Sequence, residues 1–158
     1  MVDAAVGLAV GELAPDFTLR DQFGADFTLS NHRGTKAVAI FFYPWAFSGV
    51  CTGEMTQIRD RLDEFMTFDT EVIGISCDPM FSLRQFADTD GLNFPLLSDF
   101  WPHGAVADAY EVLDPLTGAA RRSTYVVDRD GVLRWAVHNA IPDGRDVDEI
   151  LKQLRAAV

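Results

Sequence analysis

Seven consecutive residues, Ala37 to Tyr43, present no polar face to water. A strand that is apolar on both sides must be covered on both sides, so this segment predicts the interior of a layered α/β sheet. It falls far short of the roughly 20 residues that a membrane helix requires. The run stops at Pro44. Met55, Ile58, Leu62 and Phe65 then recur at helical spacing, which predicts a helix beginning around Cys51. Glu71 to Ser76 reads as a second buried strand. Two strands of one sheet that are joined through a helix run parallel, because the crossover returns the chain to the edge where it began.

The flanking segments fill in the rest. Phe17 and Leu19 alternate with polar residues, Asp21-Gln22-Phe23-Gly24 supplies a turn, and Phe27 and Leu29 resume the alternation, which predicts an N-terminal hairpin. Asp78 followed by Pro79 is a helix start with Asp78 as N-cap, and Gly91 is its stop. A short helix is expected over Ala105 to Glu111. Ser123 to Asp128 and Val132 to Val137 form a second hairpin around Arg129-Asp130-Gly131. Asp146 with Glu149 matches a capping box ahead of Ile150, Leu151 and Leu154. The order is hairpin, strand, helix, strand, two helices, hairpin, helix. It outlines an α/β, thioredoxin-like fold: a mixed central sheet flanked by helices, with an N-terminal β-hairpin.

No repeat, low-complexity tract or linker divides the 158 residues, so residues 1–158 are expected to form a single domain. The chain carries 13 basic against 24 acidic residues, a net charge of −11, which repels phosphate backbones and argues against nucleic-acid binding. The first residues include Asp3 and lack a basic, apolar leader, so no secretory signal and no membrane span are expected, and the compartment is read as cytoplasmic. In a reducing compartment Cys51 and Cys77 are better read as buried, catalytic or redox-active than as a structural bridge.

Cys51 holds the most informative position. It sits where a buried strand has ended, a loop has turned and a helix begins. Unpaired N–H groups and the positive end of the helix dipole favour a thiolate there, and the thiolate is the nucleophile. Ser48, three residues earlier, can offer a hydroxyl to the sulfur and to a bound oxygen. Each feature has a plain reading as well: a free cysteine is usually a small buried hydrophobe, Pro44 a strand terminator, Ser48 an N-cap. Their joint spacing distinguishes the two readings.

Pro44-x-x-x-Ser48-x-x-Cys51 resembles the active-site motif of the peroxiredoxins, with Ser in the place usually held by Thr. The segment is most similar to the actinobacterial one-cysteine alkyl hydroperoxide reductase E type. Ala14-Pro15-Asp16-Phe17 resembles the family's opening strand, Phe94 to Val106 that type's central loop and helix, and Arg122 to Asp128 the strand bearing the family's arginine. The resemblance covers nearly the whole chain in order. It implies that Cys51 attacks a peroxide oxygen and becomes a sulfenic acid, that Arg122 holds the thiolate and the peroxide, that Pro44 shields the pocket, and that Glu54 supports the arginine. Expected substrates are hydrogen peroxide and organic hydroperoxides, with peroxynitrite as a further candidate. Expected partners are an external thiol reductant, mycothiol with a mycoredoxin or a thioredoxin, and a second copy of the chain in a homodimer. Of the adjacent pair Arg121 and Arg122, parity allows only one to reach Cys51, and the resemblance selects Arg122.

A reactive thiol alone is not enough. Lowering a thiol from pKa about 8.5 to about 6 gains roughly thirty-fold in thiolate at pH 7, whereas enzymes supply at least ~8 kcal/mol of barrier reduction. The difference must come from donors aimed at the leaving oxygen, for which Arg122, Ser48 and the backbone amides are suited. Two alternatives stay open. Cys77 follows the second buried strand toward the same sheet edge as Cys51 and could act as a resolving residue. A non-enzymatic thiol redox sensor is the other. A disulfide oxidoreductase is disfavoured because Cys51 lacks a C-x-x-C partner. His32, His103 and His138 lack ligand spacing, and no Gly-rich phosphate loop is present, so no metal and no cofactor are expected. Trp45, Phe47 and Trp101 fit packing, an apolar mouth or a subunit contact equally well.

Overall fold

The computed structural model describes residues 7–157. The absence of a signal was read from the first residues, and residues 1–6 lie outside this range. Within it are seven strands: β1 (Thr18–Arg20), β2 (Asp26–Thr28), β3 (Ala37–Phe42), β4 (Thr70–Ser76), β5 (Leu96–Ser98), β6 (Arg122–Val127) and β7 (Leu133–Asn139). The helices are α1 (Gly49–Asp60), α2 (Leu62–Thr67), α3 (Met80–Asp90), α4 (Ala105–Ala109) and α5 (Val147–Ala157). The strands form one sheet in the order β2-β1-β5-β4-β3-β6-β7. β3 lies inside the sheet, parallel to β4 and antiparallel to β6. The α/β, thioredoxin-like expectation holds, including the N-terminal hairpin β1–β2. No helix among the described residues is long and apolar enough to cross a membrane.

The fully apolar β3 divides its side chains between two cores. Ala39, Phe41 and Tyr43 pack with Met55, Ile58, Leu83, Phe86, Ile150 and Leu154, beneath α1, α3 and α5. Val38, Ile40 and Phe42 pack with Phe17, Val106, Tyr110 and Tyr125 on the opposite face. Burying each such side chain stabilises the fold by about 1.5–3 kcal/mol, which makes this register hard to slip. The same period-two rule places Val126, and hence Thr124 and Arg122, on the first face, with Ser123 and Tyr125 on the second.

Five local expectations change. The helix after Cys51 is two helices, broken at Arg61, whose φ of −112° and ψ of 16° leave the helical region. Residues Leu96–Ser98, read as part of a loop, form β5, too short for any periodicity to reveal and bridging β4 to the hairpin. The helix at Ala105 stops at Ala109, before Glu111, which has φ 58°. Asp78 is not the N-cap of α3: Pro79 holds that position, and no side chain caps it. Gly91 does end α3 in the left-handed conformation, φ 62°. At α5 only half the capping box forms. Asp146 Oδ1 accepts the Glu149 N–H at 3.1 Å, but the Glu149 carboxylate turns to Gln153.

Candidate active site

α1 begins two residues before Cys51. Ser48 is its N-cap, and Ser48 Oγ accepts the Cys51 N–H at 3.3 Å. Cys51 therefore lies in the first turn, at the positive end of the helix, as expected. The hydroxyl oxygen of Ser48 serves the amide, and its proton remains to be donated elsewhere. Cys51 is fully buried, and Pro44 is buried at the opposite end of the loop. Between them Phe47 takes φ 68°, a left-handed conformation that bulky residues avoid, and its ring lies 5.1 Å from that of Phe86.

β6 delivers the cation. Arg122 is 1% exposed, and its Nη1 and Nη2 lie 3.4 and 3.5 Å from the Cys51 sulfur. Its Nε donates to the Ile141 carbonyl at 2.9 Å, which fixes the plane of the guanidinium. Arg121, one residue away, has the opposite parity. Glu54 projects from α1 one turn after Cys51, and its Oε1 accepts from Arg122 Nη1. The structure brings Ser48, Cys51, Glu54 and Arg122 together, with Pro44 buried four residues before Ser48.

A sixth residue was not foreseen. Arg145, in the loop before α5, is 6% exposed. Its backbone N–H and Nε both donate to Glu54 Oε2, at 2.8 and 3.0 Å. Nη1 donates to the Ser123 carbonyl and to Thr124 Oγ1, both at 2.9 Å, and Nη2 donates to the Phe42 carbonyl. Burial lowers the Arg145 guanidinium below its ordinary value, Glu54 raises it, and Arg122 lowers it further. Glu54 is thus a carboxylate clamped between two buried guanidiniums. Two cations and one carboxylate leave the cluster one positive charge in excess, carried beside the Cys51 sulfur by Arg122.

Cys77 is placed elsewhere. On β4 Val72 belongs to the Cys51 face and Ile73 and Ile75 to the other, so Cys77 continues the face of Ile75. Its thiol meets the backbone of Ala120, on that second side. Burial, then the charges of Asp99 and Asp78, push the thiol up to about 11 against the hydrogen bond from Ala120. The two cysteines share a sheet edge, as expected, but lie on opposite faces.

The profile of the AhpC/TSA family matches residues 10–136. The chain is a peroxiredoxin of this family. The peroxiredoxin is 50% identical over 129 residues to alkyl hydroperoxide reductase E of Mycobacterium tuberculosis, a match covering 82% of this chain and 84% of that one. It is 36% identical over 157 residues to the chloroplastic 2-Cys peroxiredoxin BAS1 of Hordeum vulgare, covering 93% and 74%. Among crystal structures, it is similar to peroxidoxin BcpB from Mycobacterium tuberculosis, with a TM-score of 0.85 and 32% identity, covering 97% of this chain and 99% of that one. Enterococcus faecalis AhpC gives a TM-score of 0.85 at 27% identity, covering 93% and 90%.

Proposed function

We propose that this peroxiredoxin reduces hydrogen peroxide and organic hydroperoxides, with peroxynitrite as a further substrate, by a one-cysteine cycle centred on Cys51. The observation that carries the reading is the pair of Arg122 N–H groups on the buried Cys51 sulfur. The thiolate attacks the terminal peroxide oxygen, an S–O bond forms, and the O–O bond breaks. The leaving oxygen departs as water or an alcohol after taking a proton, or as nitrite from peroxynitrite, and Cys51 becomes a sulfenic acid. Arg122 faces both the sulfur and the region where the oxygens must lie, while the Ser48 hydroxyl is the second donor to them. Removing one such donor typically costs about 10²–10³ in rate. Pro44 closes the pocket, and Glu54 holds Arg122 in register.

Recycling takes two external thiols: one forms a mixed disulfide with Cys51 and releases water, and the second restores the thiol. Mycothiol with a mycoredoxin, or a thioredoxin, would supply them. The placement of Cys77 supports an external reductant, because the sheet separates it from Cys51 and its thiol, pushed up to about 11, is a poor nucleophile near neutrality. A homodimer and a cytoplasmic location complete the proposal. Stopped-flow tryptophan fluorescence tests the chemistry. Wild-type protein should show a fast, peroxide-dependent phase that Cys51→Ser abolishes while keeping its circular dichroism, and fast turnover in Cys51→Ser would exclude Cys51 as the centre.

A further inference from the structure

Asp78 has left the helix that its sequence position assigns to it. α3 starts with no side-chain cap, although Asp followed by Pro is a strong start signal. The carboxylate instead reaches 32 residues back along the chain, where Asp78 Oδ2 accepts the Ala46 N–H at 2.8 Å. Ala46 lies midway between Pro44 and Ser48, packed against the core that contains Cys51. The same oxygen accepts the Ser76 hydroxyl at 2.7 Å, so the carboxylate is fixed in rotation. Its own backbone is fixed as well, because Ser98 Oγ donates to the Asp78 carbonyl at 2.6 Å. The tether runs from the ends of β4 and β5 to the middle of the loop whose two ends are the candidate catalytic residues. A helix cap has been forgone for it.

The loop needs such a hold. Phe47, next to Ala46, is in the left-handed region, a conformation that persists only where the surroundings impose it. Its other fixed points are Ser48 on the Cys51 amide and the Phe47 ring against Phe86.

We propose that Asp78 is a positioning residue for the peroxide step: its carboxylate, locked by Ser76, holds the Pro44–Ser48 loop closed over Cys51. The inference rests on the peroxidase reading above. A held loop keeps Ser48 and Pro44 in place for a small peroxide, and it also keeps a bulkier thiol away from the sulfenic acid. Releasing the loop should therefore move the two half-reactions in opposite directions.

The test measures both half-reactions per titratable Cys51 thiol. Oxidation by hydrogen peroxide is followed through the neighbouring Trp45 fluorescence, and reduction of preformed sulfenic acid is followed with a small aromatic thiol. Asp78→Ala should slow oxidation by about tenfold or more and speed the thiol step. Asp78→Asn, whose carbonyl oxygen can still accept both donors, should restore most of both rates. Ser76→Ala leaves the carboxylate present but unlocked, and should shift both rates the same way by less, which keeps the test usable should Asp78→Ala fail to fold. A purely structural role would lower Tm without separating the two steps. Unchanged rates, or rates that fall together in both variants, overturn the proposal while fast wild-type oxidation leaves the peroxidase reading standing. Absence of fast oxidation in the wild type would overturn both.

Discussion

Replacing Arg145 by Met tests whether the three-charge cluster behind Cys51 is structural and functional at once. Met keeps the apolar stem over Phe41, where the guanidinium carbon lies 5.4 Å from the ring centroid. It removes the charge and the side-chain donors to Glu54 Oε2, the Phe42 and Ser123 carbonyls and Thr124 Oγ1, and leaves the backbone N–H of residue 145 on Glu54 Oε2. Glu54 keeps Arg122 as partner, so the loss is that of one member of a buried ionic cluster. Such losses cost about 3–5 kcal/mol, because the groups left behind stay out of water. For a chain of this size each kcal/mol lowers Tm by about 2–4 °C, giving a drop of roughly 6–20 °C. Native domains have about 5–15 kcal/mol in hand, so the variant should still fold at low temperature. Glu54, braced on that side by one amide and no longer by the guanidinium, lets Arg122 drift from the sulfur, and a misplacement near 1 Å costs up to about 10²-fold in rate. Urea unfolding followed by tryptophan fluorescence gives the first quantity, and stopped-flow oxidation of Cys51 below the unfolding transition gives the second. A stability loss under about 1 kcal/mol together with an unchanged oxidation rate would exclude a bracing role for Arg145.

Three further outcomes are expected. Arg122→Ala should lower the peroxide rate by about 10²–10³-fold, with Arg121→Ala near wild type; an equal or larger loss in Arg121→Ala overturns the assignment. In a Cys51→Ser background Cys77 should alkylate sluggishly at pH 8, since a thiol pushed up to about 11 is there about 0.1% thiolate against about 24% for an ordinary one; labelling at the rate of a free thiol contradicts this. Burial pushes the Asp128 carboxyl up, but hydrogen bonds from the Val132 and Asp130 amides and from Arg134 outweigh it and hold the group below its ordinary value. Its contribution is therefore present above the unfolded pKa of about 3.9 and lost as pH falls through the lower folded value. Asp128→Asn should cost about 1 kcal/mol at pH 7 and progressively less below pH 4, read from paired urea titrations; a pH-independent difference excludes the linkage.

The residues differ in how plainly the sequence announces them. β3 was legible because seven apolar residues in a row admit few placements, and Cys51 because a strand end, a proline and a helix start frame it. Arg122 was reached by resemblance, and parity now accounts for it: Val126 and Thr124 face the same core, which carries Arg122 inward. Arg145 gave no signal. It stands in the polar stretch Asp143-Gly144-Arg145-Asp146, where an exposed arginine is the ordinary outcome, and only the folded chain brings Glu54 and two strand-end carbonyls to it. Asp78 failed for the opposite reason. Its local signal was strong, but a tertiary donor, the Ala46 N–H, outcompeted the helix end for the carboxylate. β5 was missed because three residues are too few to show a period.

Covalent mapping addresses the one-cysteine cycle most directly. Reduced protein would receive a single equivalent of hydrogen peroxide in the presence of a sulfenic-acid trap such as dimedone, followed by non-reducing digestion and mass spectrometry. A one-cysteine cycle yields a trap adduct on the Cys51 peptide, with Cys77 recovered as a free thiol. A dominant Cys51–Cys77 disulfide formed as fast as turnover, or first oxidation at Cys77, would contradict it.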